Sequence, residues 1–277
     1  MSARPADRVA TVLLHAALLA GAVLALAPML WMLAASFMPA GEATTSPPRL
    51  WPSDPTLEHY RALFTRLELG RYAINSAIVA LVVTTVSLFV NSAAGYAFAK
   101  LRFRGRRAVW ALLTAGLVVP VQVAMLPNFL LMKELGLVNS YGGVMIPTFA
   151  SIFGIFLVRQ YAQSFPDELL DAARMDGASE LRIYWSVVLP VIRPILATLA
   201  IWTFLSTWND FMWPLIVLTD ETRYTLPVAL AGLVGEHAQD TELMMAGSVL
   251  TVLPVLVVFL ALQRYYVQGI TMGSVKG

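Results

Sequence analysis

Six apolar runs dominate this chain: Val9 to about Ser36, Tyr72–Phe98, Val109–Leu131, Gly142–Val158, Ile195–Leu218 and Leu243–Leu262. At about 1.5 Å of rise per residue, helices of this length cross the ~30 Å hydrocarbon core of a bilayer or nearly so. The runs are too long for the short alternating strands of an outer-membrane barrel. A helix satisfies its own backbone hydrogen bonds in lipid, so helices are the spanning element. Only 13% of the residues are charged, against about 25% in soluble domains, too few to clothe a water-exposed surface. The expectation is an all-α polytopic membrane protein with six transmembrane helices.

The first run has a cleaved signal peptide as its competing reading. It is longer than the apolar core of such a peptide and several spans follow, which favours an uncleaved first helix. Residues 37–71 hold Pro47-Pro48 and Trp51-Pro52, which argue for extended backbone. Leu57, Tyr60, Leu63, Phe64 and Leu67 then recur at helical spacing and predict an amphipathic surface helix over 56–69. Six spans put both ends on one side. That side collects 13 of the 19 Lys and Arg residues, five of them in the turn Lys100–Arg107, and the other side 6. The excess predicts cytoplasmic termini. The expected divisions are 1–71 (first helix and extracytoplasmic segment), 72–265 (transmembrane core) and 266–277 (cytoplasmic tail).

Residues 166–194 form the most polar long stretch, between the fourth and fifth runs. Ser164 is placed to cap a helix, with Pro166 in the first turn and Asp167 three residues after the cap. Asp167, Glu168 and Asp171 suit the positive end of its dipole. Leu169, Ala172, Ala173 and Asp176 share one face, whose small residues admit another backbone. Gly177 is placed to end the helix in a left-handed conformation. Ser179 starts a second short helix reaching Leu189. Pro190 and Pro194 mark the entry to span five. A plain connection would need far fewer residues, so the segment reads as a docking surface.

Asp171-Ala-Ala-Arg-Met-Asp-Gly-Ala178, with Leu189-Pro190 and Pro194 behind it, resembles the EAA motif of bacterial ABC importer permeases, closest to the carbohydrate-uptake permeases of the maltose-transporter type. Asn75-Ser76, the Lys100–Arg107 turn, Trp208-Asn-Asp-Phe-Met-Trp-Pro-Leu215 and the ending Gln263-Arg264…Gly277 also match that pattern. Asp171 stands where the motif has Glu, with the same charge on a shorter arm. The resemblance implies an ABC importer type I permease fold, with a cytoplasmic coupling helix between spans four and five and docking residues Asp171, Ala172, Ala173, Asp176 and Gly177. It implies as partners a second related permease, a dimer of ATP-binding subunits and an extracytoplasmic solute-binding protein, in the bacterial inner membrane.

Chemistry by this chain itself is not expected. It has no G-x-x-x-x-G-K-[ST] loop, so ATP and Mg²⁺ would belong to the partner subunit. It has no Cys, and His15, His59 and His237 are too scattered for a metal site. A net charge of +2 gives no reason to expect nucleic acid. Membrane lipid is the surrounding partner.

Polar groups within the spans mark a candidate substrate path. Asp210 is an expensive carboxylate at membrane depth. With Asn209 and the rings of Trp208, Phe211 and Trp213 it either meets a sugar or braces a break before Pro214. Gln122 and Asn128, near Pro120 and Pro127, either line the path or satisfy freed backbone groups. Asn75 and Asn91 join helices, and His15 is a packed polar residue. The polar stretch 219–242 is either a loop reaching into the binding protein or a flexible surface loop. The function expected is ATP-driven uptake of a sugar or oligosaccharide by alternating access. Import of glycerol-phosphate-type solutes is the variant within the class. An ion-coupled secondary carrier is the alternative outside it, and would show more buried carboxylates and a repeated half. An intramembrane enzyme lacks a nucleophile–base pair.

Overall fold

A computed structural model describes residues 5–236 and 240–272. His237 and the final residues 273–277 of the expected tail lie outside them, as do the side chains of Arg4, Arg8, Glu236 and Arg264. The described secondary structure is helical throughout. In order come α1 (Pro5–Ala35), α2 (Glu58–Thr65), α3 (Leu69–Lys100), α4 (Arg106–Ala115), α5 (Met125–Glu134), α6 (Tyr141–Met145) and α7 (Ile152–Gln163). Then follow α8 (Glu168–Met175), α9 (Glu180–Ile183), a π-helical turn (Tyr184–Val188), α10 (Leu189–Val191), α11 (Arg193–Trp208), α12 (Met212–Val217), α13 (Leu226–Glu236) and α14 (Thr241–Met272).

Four helical stretches are long and apolar enough to cross a membrane: Thr11–Ala35, Leu69–Lys100, Tyr141–Gln163 and Thr241–Ala261. Two bent pairs, Arg106–Val118 with Val121–Glu134 (105°) and Glu180–Val191 with Arg193–Trp208 (80°), bring the number to six if each pair is one span. The third run is therefore not one kinked helix. Pro120 cannot continue the ladder and its ψ of 134° is extended, so the chain turns sharply there, whereas Pro127 sits harmlessly in the first turns of α5. The fifth run likewise divides. α11 ends at Trp208 and α12 restarts at Met212.

The largest departure from expectation lies in 219–242. Leu226-Pro-Val-Ala-Leu-Ala-Gly forms helix α13, in which Leu226 and Val228 are buried, and Glu242 is fully buried. The few charges at its edges disguise an apolar centre. That burial excludes a flexible surface loop for residues 225–229.

The described residues form two compact units. One comprises residues 1–69 and 230–253, the other 70–229 and 254–277. In the first, Ala35, Met38 and Ala43 pack with Trp31 and Met245. Glu242 accepts from the Ala43 amide at 2.7 Å, and Glu42 accepts from Arg49 at 2.7 Å and from the Ser53 amide. The His59 ring meets the Met38 carbonyl at 2.9 Å. The segment after α1 is thus tied down by side-chain bonds. The helix expected over 56–69 is shorter, and Trp51, 74% exposed, stands clear of this core. His15 contacts the carbonyl of its own helix at Thr11 rather than packing against a neighbour.

In the second unit α3 is the central element. Gly95 lets it approach α7 so closely that a Cβ there would lie 2.7 Å from Val158. Asn91, fully buried, accepts from the Ser151 amide at 2.9 Å and donates to Ser87 at 2.6 Å. Asn75 donates to the carbonyls of Thr222 and Tyr224. Both asparagines hold segments together, as their positions in an apolar helix imply.

Candidate functional site

Helix α8 occupies the heart of the polar segment. It starts three residues later than the capping pattern implies. Ser164 instead closes α7, its hydroxyl donating to the Tyr161 carbonyl, and Asp167 precedes α8 without capping it. Asp167 is drawn away by Lys100, the last residue of α3, whose ammonium lies 2.5 Å from its carboxylate and 2.7 Å from the Phe165 carbonyl. That hydrogen bond, and then the charge of Lys100, hold the Asp167 carboxyl below its usual range.

Gly177 ends α8 with φ +75°, and Ser179 caps α9 by accepting from the Arg182 amide. Both follow the expectation. The Gly177 turn is held shut by Arg174, which bonds Asp171 at 2.9 Å behind it and Glu180 at 2.8 Å ahead. The hydrogen bond to Glu180 is the main reason the Arg174 guanidinium is raised further above its ordinary value.

The four-residue face divides in two. Leu170 is buried and Ala173 is half-buried against the same core. Leu169, Ala172, Asp176 and Met175 point outward, Met175 being 88% exposed. The outer surface is therefore Leu169, Ala172, Met175 and Asp176, with Ala173 setting the distance to the body of the unit. Sequence reading missed Met175 because it does not fall at the small-residue spacing.

Beneath the segment, α3 presents Ser92, Tyr96 and Lys100 at intervals of four, on one helical face. Ser92 and Tyr184 share a hydroxyl hydrogen bond of 2.6 Å, Tyr96 donates to Glu180 at 2.9 Å, and Lys100 holds Asp167. This polar ladder fastens α8, α9 and the π-helical turn to one long helix. No residue of it stood out in the sequence except Lys100, as part of the basic turn.

A second feature lies among the spans. A cavity of about 650 Å³ opens between α3, the break at Pro120, the start of α7 and the end of α11. Ser87, Thr148, Ser151 and Thr207 bring hydroxyls to it, and Asp210 is its sole charged lining residue. Phe153 and Trp202, with ring centroids 5.6 Å apart, supply an aromatic wall, and Trp202 is 58% exposed. Such a mixture of rings and hydroxyls suits a polyhydroxylated solute.

Of the predicted path residues, Asp210 alone lines this cavity. It also accepts from the Trp213 amide at 3.4 Å, so it braces the break as well. Asn209 only closes α11, donating to the Leu205 carbonyl at 2.8 Å. Trp208 is buried, stacked on Phe204, and Trp213 is buried with its indole donating to the Gly143 carbonyl. Gln122 is exposed and Asn128 half-buried, and neither lines the cavity. The rings that do line it, Phe153 and Trp202, lie in other turns, with no charged or amide neighbour in sequence to flag them.

Residues 91–272 match the family described as the binding-protein-dependent transport system inner membrane component. The arabinooligosaccharides transport system permease protein AraQ of Halalkalibacterium halodurans is 39% identical over 261 residues, covering 92% of this chain and 93% of that protein. The diacetylchitobiose uptake system permease protein NgcG of Streptomyces coelicolor is 32% identical, covering 99% and 92%. In structure, the chain is similar to one from a bacterial ABC transporter involved in import of the acidic polysaccharide alginate, with TM-score 0.82, 28% identity and coverage of 96% of this chain and 99% of that one. The match spans both the polar segment 166–194 and the cavity. The chain belongs to the inner membrane components of binding-protein-dependent transport systems, with the fold of an ABC importer permease.

Proposed function

We propose that this permease carries a neutral oligosaccharide across the bacterial inner membrane. It works with a second permease, a pair of ATP-binding subunits and an extracytoplasmic binding protein. The observation that carries the reading is the cavity lining, which offers rings, hydroxyls and one carboxylate and no cation. Sugars stack their apolar faces on rings and exchange hydrogen bonds with hydroxyls. A phosphate ester or a uronate would meet Asp210 with no Lys or Arg to offset it, and like charges in a low-dielectric site repel strongly. That argues against the glycerol-phosphate variant. Permeases similar to this one are named for oligosaccharides, and others for sn-glycerol 3-phosphate and the acidic polysaccharide alginate, so the neutral reading rests on the cavity lining.

The outer face of α8, with Asp171, Ala172, Asp176 and Gly177, is read as the knob received by an ATP-binding subunit, and Ala173 as its inner spacer. Closure of the subunits around ATP would push α8, and the Ser92–Tyr96–Lys100 ladder would pass that push to α3. The termini and the 100–107 turn are then cytoplasmic, as the basic-residue excess supports. The expected divisions at 71/72 and 265/266 remain a proposal for the borders of the transporting core.

The test is uptake by proteoliposomes holding the whole transporter, using labelled neutral oligosaccharides and a charged series of equal size. ATP-dependent accumulation of a neutral sugar is the expected result. Accumulation driven by an ion gradient without ATP, or uptake confined to phosphate esters, would overturn the proposal.

A further inference from the structure

The turn between α3 and α4 forms a second hollow, of about 470 Å³, lined by Arg102, Phe103, Gly105, Arg106, Arg107 and Ala108. Three of its six wall residues are guanidinium side chains and none is acidic. Nearby charges deepen the imbalance. Lys100 is already held by Asp167, and Arg104 and Arg159 add further positive charge. Arg106 lies near Arg159, and Arg102 near Asp167. Arg106 spends one N–H on the Leu101 carbonyl at 2.8 Å, which fixes its direction. Arg102 and Arg107 are exposed and make no ion pair among the described residues.

The setting distinguishes this hollow from an ordinary basic loop. α3 is an apolar span that ends at Lys100, and the next apolar helix begins at Arg106. The turn therefore lies where a span meets the headgroup layer, the zone where basic residues meet anionic lipid. Below the arginines the surface is apolar. Phe103 is 44% exposed, and on α4 Val109 (45%) and Leu112 (76%), three residues apart, continue one strip downward. Charge above and an oily strip beneath match an amphiphile, not a small soluble anion.

We propose that this hollow binds the phosphate headgroup of an anionic phospholipid, with an acyl chain along Phe103, Val109 and Leu112. Arg102 and Arg107 contact the phosphate oxygens and Arg106 is pre-oriented beside them. Guanidinium forks suit phosphate in geometry and charge.

The experiment places the assembled transporter in nanodiscs of equal parts phosphatidylcholine and phosphatidylglycerol. Mass spectrometry of the intact complex then counts the lipids retained after removal of bulk lipid. Phosphatidylglycerol is expected to be enriched on the wild type. The triple variant Arg102→Gln/Arg106→Gln/Arg107→Gln should lower that enrichment by about fivefold or more, whereas Arg61→Gln/Arg66→Gln should leave it unchanged. If the triple variant does not assemble, Arg102→Glu, whose side chain bonds no backbone, serves instead. Unchanged enrichment would overturn the proposal. Displacement of the lipid by millimolar inorganic phosphate would reassign the hollow to a soluble anion. Loss of the ATP-binding subunits with lipid retained would reassign it to a protein partner.

Discussion

Gly177 shows how one residue can matter without a side chain. A Cβ added there meets no atom within 4 Å, so only its φ of +75° resists substitution. Gly177→Val should therefore strain the turn by about 1–2 kcal/mol while leaving membrane insertion intact. The expected outcome is ATP hydrolysis with little uptake, read as sugar moved per ATP in proteoliposomes; wild-type coupling would remove the turn from the mechanism. Asp167 gives a prediction in pH. Its carboxyl is lowered by Lys100 in the folded state, so the clamp contributes fully above the ordinary carboxylate range and is lost as pH falls through the depressed value. The Tm gap between wild type and Asp167→Asn should be present at neutral pH and close in acid, below a pH of about 4. A gap that persists in acid would mean the clamp acts through something other than charge.

Helices in this chain are joined by a few polar side chains at fixed intervals. Asn91 is the clearest, since it bonds the Ser151 amide that opens α7 and lies within 3 Å of where a Gly154 Cβ would be. Asn91→Leu leaves a buried amide without its partner and crowds Gly154. It should lower stability by about 2 kcal/mol, measured as the Tm of the solubilised transporter. The ladder on α3 makes a different prediction. Tyr96→Phe removes only the hydroxyl that donates to Glu180 and keeps the ring among its aromatic neighbours. It should cost about 1 kcal/mol, and with Ser92→Ala it should reduce sugar moved per ATP more than it reduces Tm. Equal losses in both would make the ladder merely structural.

Across the whole molecule, apolar surface far exceeds what the chain can bury by itself. None of the most apolar window of Thr11–Ala35 is buried within the chain, and a third of that of Leu69–Lys100 is. Lipid or other protein must cover the rest. Solute selection is the property to test at this scale. Asp210→Asn should leave neutral sugar uptake within about threefold of wild type, because an amide keeps most of the hydrogen bonding. Asp210→Lys should favour anionic analogues in competition for the assembled transporter. Equal behaviour of the two variants would show that the cavity does not sense charge.

The membrane class, the number of apolar runs, the motif helix with its glycine end and the joining roles of Asn75 and Asn91 were all legible in the linear chain. Each depends on spacing within about two turns, or on the cost of a polar group in lipid. Folding settled what spacing cannot express. It turned the chain at Pro120, hid Trp208 and Trp213 while baring Trp202, and rotated Ala173 inward. It also brought Ser87, Ser151 and Asp210 around one cavity, and lined up Ser92, Tyr96 and Lys100 beneath partners 65 to 92 residues away. A residue's type fixes what it can bond; which face it shows, and to whom, follows from helices packed against one another.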